Sequence, residues 1–360
     1  VTPGTITANG NPTASTDSPF DDPAGFVFGE SGSENVIKCG SYKGQNSAVQ
    51  VELGWEPSFV IVKRTNGSGE WYMLDVMRGW FNKEPIITTS DYDKFLYASN
   101  NDAENTYTFG HPTATGFEMA YGSAIQYNAS GGEYIYIAIR RPDGYVGKPP
   151  ELGTSVFAMD TGNSSSTIPT YDSGFPVDYA FTKTPASSGD WYTSARLING
   201  QVNYFTTAAE HASGNFVFDS NTGWGKSHGA NYQSWMWKRH AGFDVVTYTG
   251  NGGNLSVPHS LGGVPEMIWA KERSNAGTEW KVHHKDRPST SVLRLNNDLA
   301  EETSQTIYQS KYPTATHFFT SSSLSTNNAG FLAMLFRSVD GISKVGSYTG
   351  NGSGQTITTG

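Results

Sequence analysis

Asp91 and Asp93, two residues apart, come closest in this chain to an acid–base pair. On a strand their carboxylates would share one side, as a glycosidase or a Ca²⁺ site requires. Neither the Glu-x-Asp-x-Glu strand of sandwich-fold glucanases nor a Ca²⁺ loop surrounds them, so a solvated loop is the expected reading. His283 and His284 are adjacent; on a strand they face opposite ways and cannot chelate one ion. Ser31 has Gly29 two residues before it but Ser33 two after, which is not a nucleophile elbow. Cys39 is the single cysteine. It excludes a disulfide or a thiolate cluster within one chain and reads as a small buried hydrophobe. The Thr-Gly-Asn-Gly turns lack the Lys-Ser/Thr of a phosphate loop and read as hairpins. No catalytic residue, metal set or cofactor motif emerges, and the expectation is a protein that is not an enzyme.

Aromatic and basic side chains offer binding chemistry instead. Lys63 with Trp71, Lys183 with Trp191 and Lys271 with Trp280 recur at nearly constant spacing. Adjacent strands of a hairpin would bring each ammonium over an indole, a contact contributing about 0.5–1 kcal/mol when exposed. Because all three pairs are kept while their loops differ, they are assigned to the scaffold. Ligand contacts belong where the copies diverge, as in Asp75-Val-Met-Arg-Gly-Trp80-Phe81. Trp80 and Phe81 are the candidate sugar-stacking groups there, with a buried staple as the favoured reading. Asn66, Asn128 and Asn163 each open an Asn-x-Ser glycosylation triplet, a pattern common by chance in such a chain. The formal charge of -9 and the lack of any basic run longer than a pair argue against a nucleic-acid partner. No stretch is apolar enough for membrane insertion.

The elements that must position these groups come from a repeat. Gly40-Ser-Tyr42-Lys-Gly44 returns as Thr247-Tyr248-Thr-Gly-Asn-Gly252 and Gly346-Ser-Tyr348-Thr-Gly-Asn-Gly352, with a degenerate copy around Asp160. The interval is roughly a hundred residues. Within it follow a Gly-Pro turn, a strand ending in the lysine, the acidic-Trp pair, and a closing strand: Tyr134 to Arg140, Tyr232 to Lys238, Phe331 to Arg337. Abundant Gly and aromatic residues with 16% charged residues, well under the roughly 25% of average domains, fit short strands joined by tight turns. The expected fold is all-β: tandem concanavalin-like or jelly-roll β-sandwiches with little helix. Residues 1–36 are read as the C-terminal part of a preceding repeat, 37–147 as repeat 1, 148–242 as a divergent repeat 2, 243–340 as repeat 3 and 341–360 as the start of another. The chain opens at Val1 and closes at Gly360, and is read as a piece of something longer.

Gly54-Trp-Glu-Pro-Ser-Phe-Val-Ile-Val-Lys-Arg64, Asp75-Val-Met-Arg-Gly-Trp80, Phe243-Asp-Val-Val-Thr-Tyr-Thr-Gly250, Val264-Pro-Glu-Met-Ile268, Lys271-Glu-Arg-Ser-Asn275 and Val345-Gly-Ser-Tyr-Thr-Gly350 resemble large structural proteins of tailed, especially marine, bacteriophages, often labelled tail fibre. The resemblance spans nearly the whole chain and implies concanavalin-like sandwiches along a virion appendage, with no catalytic residues or cofactors to carry over. It implies a virion location, a homo-oligomer with a trimer as first guess, contacts with other virion proteins, and host-surface glycans as ligands. A head-decoration or spacer fibre and a bacterial cell-surface adhesin are the alternatives. From physics, similar sandwiches in series make a spacer in which each unit touches chiefly its neighbours.

Overall fold

The computed structural model describes residues 36–45, 47–82, 92–120, 127–141 and 152–359. Among them the regular structure is antiparallel β, with only three-residue 3-10 turns besides. Its sheets fall into three stretches of chain. The first contains β1 (Ile37–Lys43), β2 (Val49–Glu52), β3 (Pro57–Arg64), β4 (Trp71–Asp75), β5 (Asp93–Tyr97), β6 (Asn105–Tyr107), β7 (Gly110–Thr113), β8 (Gly116–Met119) and β9 (Glu133–Arg140). The second has β10 (Phe157–Thr161), β11 (Tyr171–Asp172), β12 (Tyr179–Lys183), β13 (Tyr192–Ala195), β14 (Asn203–Tyr204), β15 (Gly223–Trp224) and β16 (Gln233–Trp237). The third has β17 (Phe243–Thr249), β18 (Leu255–Pro258), β19 (Met267–Glu272), β20 (Lys281–His284), β21 (Leu293–Arg294), β22 (His317–Thr320) and β23 (Gly330–Phe336).

One strand order recurs: β1-β9-β3-β4-β5-β6, β10-β16-β12-β13-β14 and β17-β23-β19-β20-β21. Opposite each large sheet lies a small one, β2-β8-β7, β11-β15 or β18-β22. Strict alternation explains the layering. Val60, Val62, Leu74, Tyr134, Tyr136 and Ala138 point inward from the large sheet to meet Val49, Val51, Phe117 and Met119 from the small one. Tyr171, Val177, Trp224 and Met236 build the second core, and Val257, Ile268, Phe318 and Leu335 the third.

Tyr42 and Tyr248 occupy like places. Tyr42 faces Tyr134 across its ladder and stacks on it at 4.9 Å and 11°; Tyr248 faces Phe331 and stacks at 4.9 Å and 10°. Asp160 faces Ser234. At the turn that follows, Gly44, Gly162 and Gly250 pass so close to Ala129 O, Gly229 O and Thr326 O that a Cβ would lie 2.1, 2.4 and 2.1 Å from them. That close approach explains a glycine two residues after each landmark. The closing strand of the second stretch is shorter, 5 residues against 8 and 7. Its far end keeps the common register, with Tyr179↔Trp237 answering Phe59↔Ile139 and Met267↔Phe336. Tyr232 therefore matches Tyr134 and Phe331 only when counted from that end; at the turn, Ser234 takes their place.

The stretches interlock, contrary to a series in which each touches only its neighbours. Arg239 donates to Glu56 Oε1 of the first stretch at 2.9 Å and to Asp244 Oδ1 of the third at 2.9 Å, while Arg141 Nη2 lies 3.6 Å from Asp244. A second knot joins Arg273 to both oxygens of Glu210 at 2.6 Å and to Asn82 O at 3.2 Å. Outer faces of the second and third large sheets share a further apolar core containing Tyr179, Ala195, Val245, Trp280 and Met334.

Residues 1–35, read as the end of a preceding repeat, lie outside the described residues, and 341–359 carry no strand; Tyr348 is exposed. Cys39 is exposed rather than buried, because it points outward from the edge strand β1.

Candidate functional site

The hairpin lysines do one job in all three copies, and it is structural. Lys63 Nζ donates to Gly69 O at 2.6 Å, Lys183 Nζ to Gly189 O at 3.2 Å and Lys271 Nζ to Thr278 O at 2.7 Å. In each case the acceptor lies two residues before the tryptophan, so the ammonium closes the hairpin loop. Lys183 also sits 5.1 Å from the Trp191 ring centroid. Trp71 and Trp191 are partly buried, whereas Trp280 is sealed and donates Nε1–H to Tyr204 O at 2.6 Å. Burial pushes the Lys271 ammonium down to about 8.

Trp80 and Phe81, the candidate sugar-stacking residues, are 0% and 1% exposed. Trp80 packs on Phe117 at 6.2 Å inside the first core, leaving no ring face for a ligand. They are staples because the Asp75–Arg78 turn, closed by Arg78 N–H to Asp75 Oδ1 at 2.8 Å, drives the chain back into the sandwich. Of the paired carboxylates, Asp91 lies outside the described residues; Asp93 is buried and accepts Phe109 N–H at 2.6 Å and Gly110 N–H at 3.3 Å. It organises a loop. Asn128 is also buried, its amide donating to Ser47 O, Met119 O and Ala120 O, so it is no glycan acceptor as folded.

What the structure assembles instead begins one residue after each hairpin tryptophan. In the first stretch Tyr72 on β4 faces Tyr97 on β5, with ring centroids 5.5 Å apart. In the second, Tyr192 on β13 faces Tyr204 on β14 at 5.3 Å. The first pair borders one cleft, and Tyr192 of the second pair lines another. The first, about 420 Å³, is floored by Phe95, Phe109 and Tyr127 and rimmed by Glu70, Asn100, Asp102, Asn105 and Tyr107. Tyr107 is 41% exposed and approaches Tyr127 at 6.4 Å. The second, about 260 Å³, has Phe216, Tyr232 and His228 among its walls and His211, Ser213, Asn215 and Ser227 at its mouth. Tyr204 stacks on His211 at 5.4 Å and 21°.

Their electrostatics suit a neutral polar ligand. Burial, then Tyr97 and Glu70, raise the Tyr72 phenol to about 12, and burial, then Glu70 and Asp102, raise Tyr97. Both remain O–H donors across ordinary pH. His228 Nδ1 lies 2.9 Å from Tyr171 Oη, which also meets Thr182 Oγ1 at 2.9 Å. Burial holds that imidazole down to about 4, hence uncharged at neutral pH.

At the corresponding corner of the third stretch the chemistry changes. Lys281 faces Arg294. Glu279 binds Lys281 at 2.7 Å and Arg294 Nε at 2.5 Å through one oxygen, and Glu302 adds a bidentate contact with Arg294. The ion-pair cluster takes the place of the tyrosine pair. Among the described residues no group of three or more His, Cys, Asp or Glu is placed to hold a metal. The signal in the sequence was the residue after the repeated tryptophan, Tyr72, Tyr192 or Lys281; its cross-strand partners needed the register.

A family model, Domain of unknown function (DUF7483), matches residues 17–141 and 212–360. That is well over half of the chain, which belongs to this family. The stretch between the two matches contains β10 to β14. No curated protein matches the chain.

Proposed function

We propose that this member of the DUF7483 family is a non-catalytic structural protein of a bacteriophage virion, a tail fibre or related appendage that attaches to host-surface glycans through the two tyrosine clefts. The observation carrying the reading is their recurrence: an aromatic floor with a carboxamide and hydroxyl rim at the same corner of two sandwiches, joined by carboxylates in the first and by His211 in the second. Aromatic faces pack on the C–H faces of a pyranose while the rim groups meet its hydroxyls, the usual division of labour in a small-molecule site. Each cleft accommodates a short saccharide and by itself binds weakly. Two on one rigid chain, multiplied by oligomerisation, convert weak contacts into attachment through effective concentration. The rigidity is supported by the Arg239 and Arg273 knots, which fix one cleft relative to the other.

The placement on a virion rests on the sequence motifs. Purified chain, fluorescently labelled, is mixed with host cells of the phage whose genome encodes it. Retention that soluble host polysaccharide competes away supports the attachment role. No retention removes it and leaves a head-decoration or spacer role; a secretion signal or wall anchor in the full-length gene points instead to a bacterial adhesin. Release of soluble oligosaccharides from host polysaccharide would contradict the non-catalytic reading.

A further inference from the structure

The outer face of the first large sheet carries a continuous apolar row across five strands. Cys39 on β1 faces Ile137 on β9, which faces Ile61 on β3, then Met73 on β4 and Leu96 on β5. At about 4.8 Å per strand this row is roughly 20 Å long. Ile37, Ile139 and Phe59 form the next row, and Ile135 flanks the first on its other side. Ile37, Ile135 and Ile137 are 49%, 41% and 40% exposed. A solvated sheet face normally alternates to polar side chains, so isoleucines in this number on the outside mark an interaction surface.

The same chain shows what such a face does. Outer faces of the second and third large sheets are apolar too, and they are packed on each other. Phe205 meets Trp269 at 6.3 Å and Trp280 at 5.5 Å, Tyr179 meets Phe243 at 5.9 Å, and Val245 and Met334 are buried between them. Two of the three homologous faces are thus consumed by pairing with one another, and the odd one remains. Charges flank the row rather than interrupt it: Lys63 and the exposed Lys43–Glu133 pair at 3.9 Å lie to one side, and to the other Asp75 and Lys94, each with a partner of its own in Arg78 and Glu104.

We infer that the Ile61–Ile137 face is the interface between two copies of this chain, paired face to face about a twofold axis in the way the second and third sheets already pair. Such an isologous contact closes at two subunits. A chain carrying two clefts becomes a dimer carrying four, independently of whether those clefts bind glycans.

The test is sedimentation velocity on the full chain from about 1 to 200 μM, alongside Ile137→Lys. A second variant, Ile61→Lys, guards against misfolding of the first, and each variant's circular dichroism and urea midpoint are checked against the wild type. The expected result is a wild-type dimer and variants that fold normally but sediment as monomers, with association weakened at least 100-fold. Met159→Lys, at an exposed position on the second sheet, leaves the dimer intact. A wild-type monomer throughout the range overturns the inference, and is also what results if residues 1–35 of the same chain cover the face. A trimer overturns it as well, because twofold face pairing does not close at three. So do dimeric, folded Ile137→Lys and Ile61→Lys.

Discussion

Replacing Arg239 by methionine tests whether the three sandwiches are locked together by charge. The guanidinium has 3% side-chain exposure and lies between Glu56 of the first stretch and Asp244 of the third, whose side chains have 6% and 2% exposure. Methionine keeps most of the volume but leaves both carboxylates with Arg141 as their nearest cation, at the looser distances of 3.7 and 3.6 Å. Removing one member of a buried pair costs about 3–5 kcal/mol, chiefly because the remaining charge stays desolvated. Each lost charge-assisted hydrogen bond, at about 1.5–3 kcal/mol, leads to the same range. The expected loss is therefore about 4 kcal/mol in urea denaturation. It should be accompanied by a split of the transition, since the contact removed lies between sandwiches and not within one. Arg287→Met is the control. Its pair with Glu301 is half exposed on the arginine side, where solvent screens it, so this substitution should cost far less than Arg239→Met. If Arg239→Met loses no more than Arg287→Met and unfolds in one unchanged transition, the charge knot is not what holds the assembly together.

Acid should weaken the fold well before carboxylates titrate. Burial holds His228, His240 and His283 down to about 4, with Lys238 and His284 adding to the latter two. The unfolded chain protonates them near ~6.5, so between those values it binds more protons than the folded chain and stability rises with pH. Lowering pH from 7 to 4.5 should cost up to ~3 kcal/mol per histidine, and urea midpoints that stay level across this window would contradict it. Asp244 adds to this at lower pH: burial raises its carboxyl, but Arg239 and Arg141 outweigh burial and hold it below the usual range, so its stabilisation is lost as pH falls through that depressed value. Gly250→Ala should destabilise by about 1–3 kcal/mol, because its Cβ meets backbone, while Gly253→Ala, whose nearest neighbour would be 3.8 Å away, should be within about 0.5 kcal/mol of wild type in the same assay. Lys271→Met should cost more than Lys63→Met, about 1–3 against under 1 kcal/mol, since Lys271 is fully buried with Thr278 O as its acceptor.

Much of the fold was legible because a repeat supplies its own control. The landmarks Tyr42 and Tyr248, the lysine–tryptophan hairpins and the alternation of the closing strands all mark positions where the three copies solve one packing problem. The shortened β16 was hidden: an alignment made from the basic end slides Tyr232 onto Tyr134, and only the ladder shows Ser234 at the turn. Trp80 and Phe81 left two readings open because divergence between copies can reflect a core filled differently as well as a binding loop, and they are the core filling. The clefts were missed because their walls come from strands joined by loops of unequal length, so Tyr97 and Tyr204 do not align until Tyr72 and Tyr192 are paired across the sheet. Likewise the Arg239 and Arg273 knots join residues far apart in sequence, and no local pattern specifies them.

The central claim is that Tyr97 and Tyr192 hold saccharide. Affinity electrophoresis through gels containing purified bacterial surface polysaccharides reads this directly, because retention needs no knowledge of the minimal sugar. The account predicts that the wild-type chain is retarded by at least one host polysaccharide, Tyr97→Ala and Tyr192→Ala each by less, and the double variant not at all, while Lys281→Ala in the ion-paired third corner migrates like wild type. Equal retardation of the wild type and a folded double variant, or no retardation of the wild type by any host polysaccharide, would contradict it.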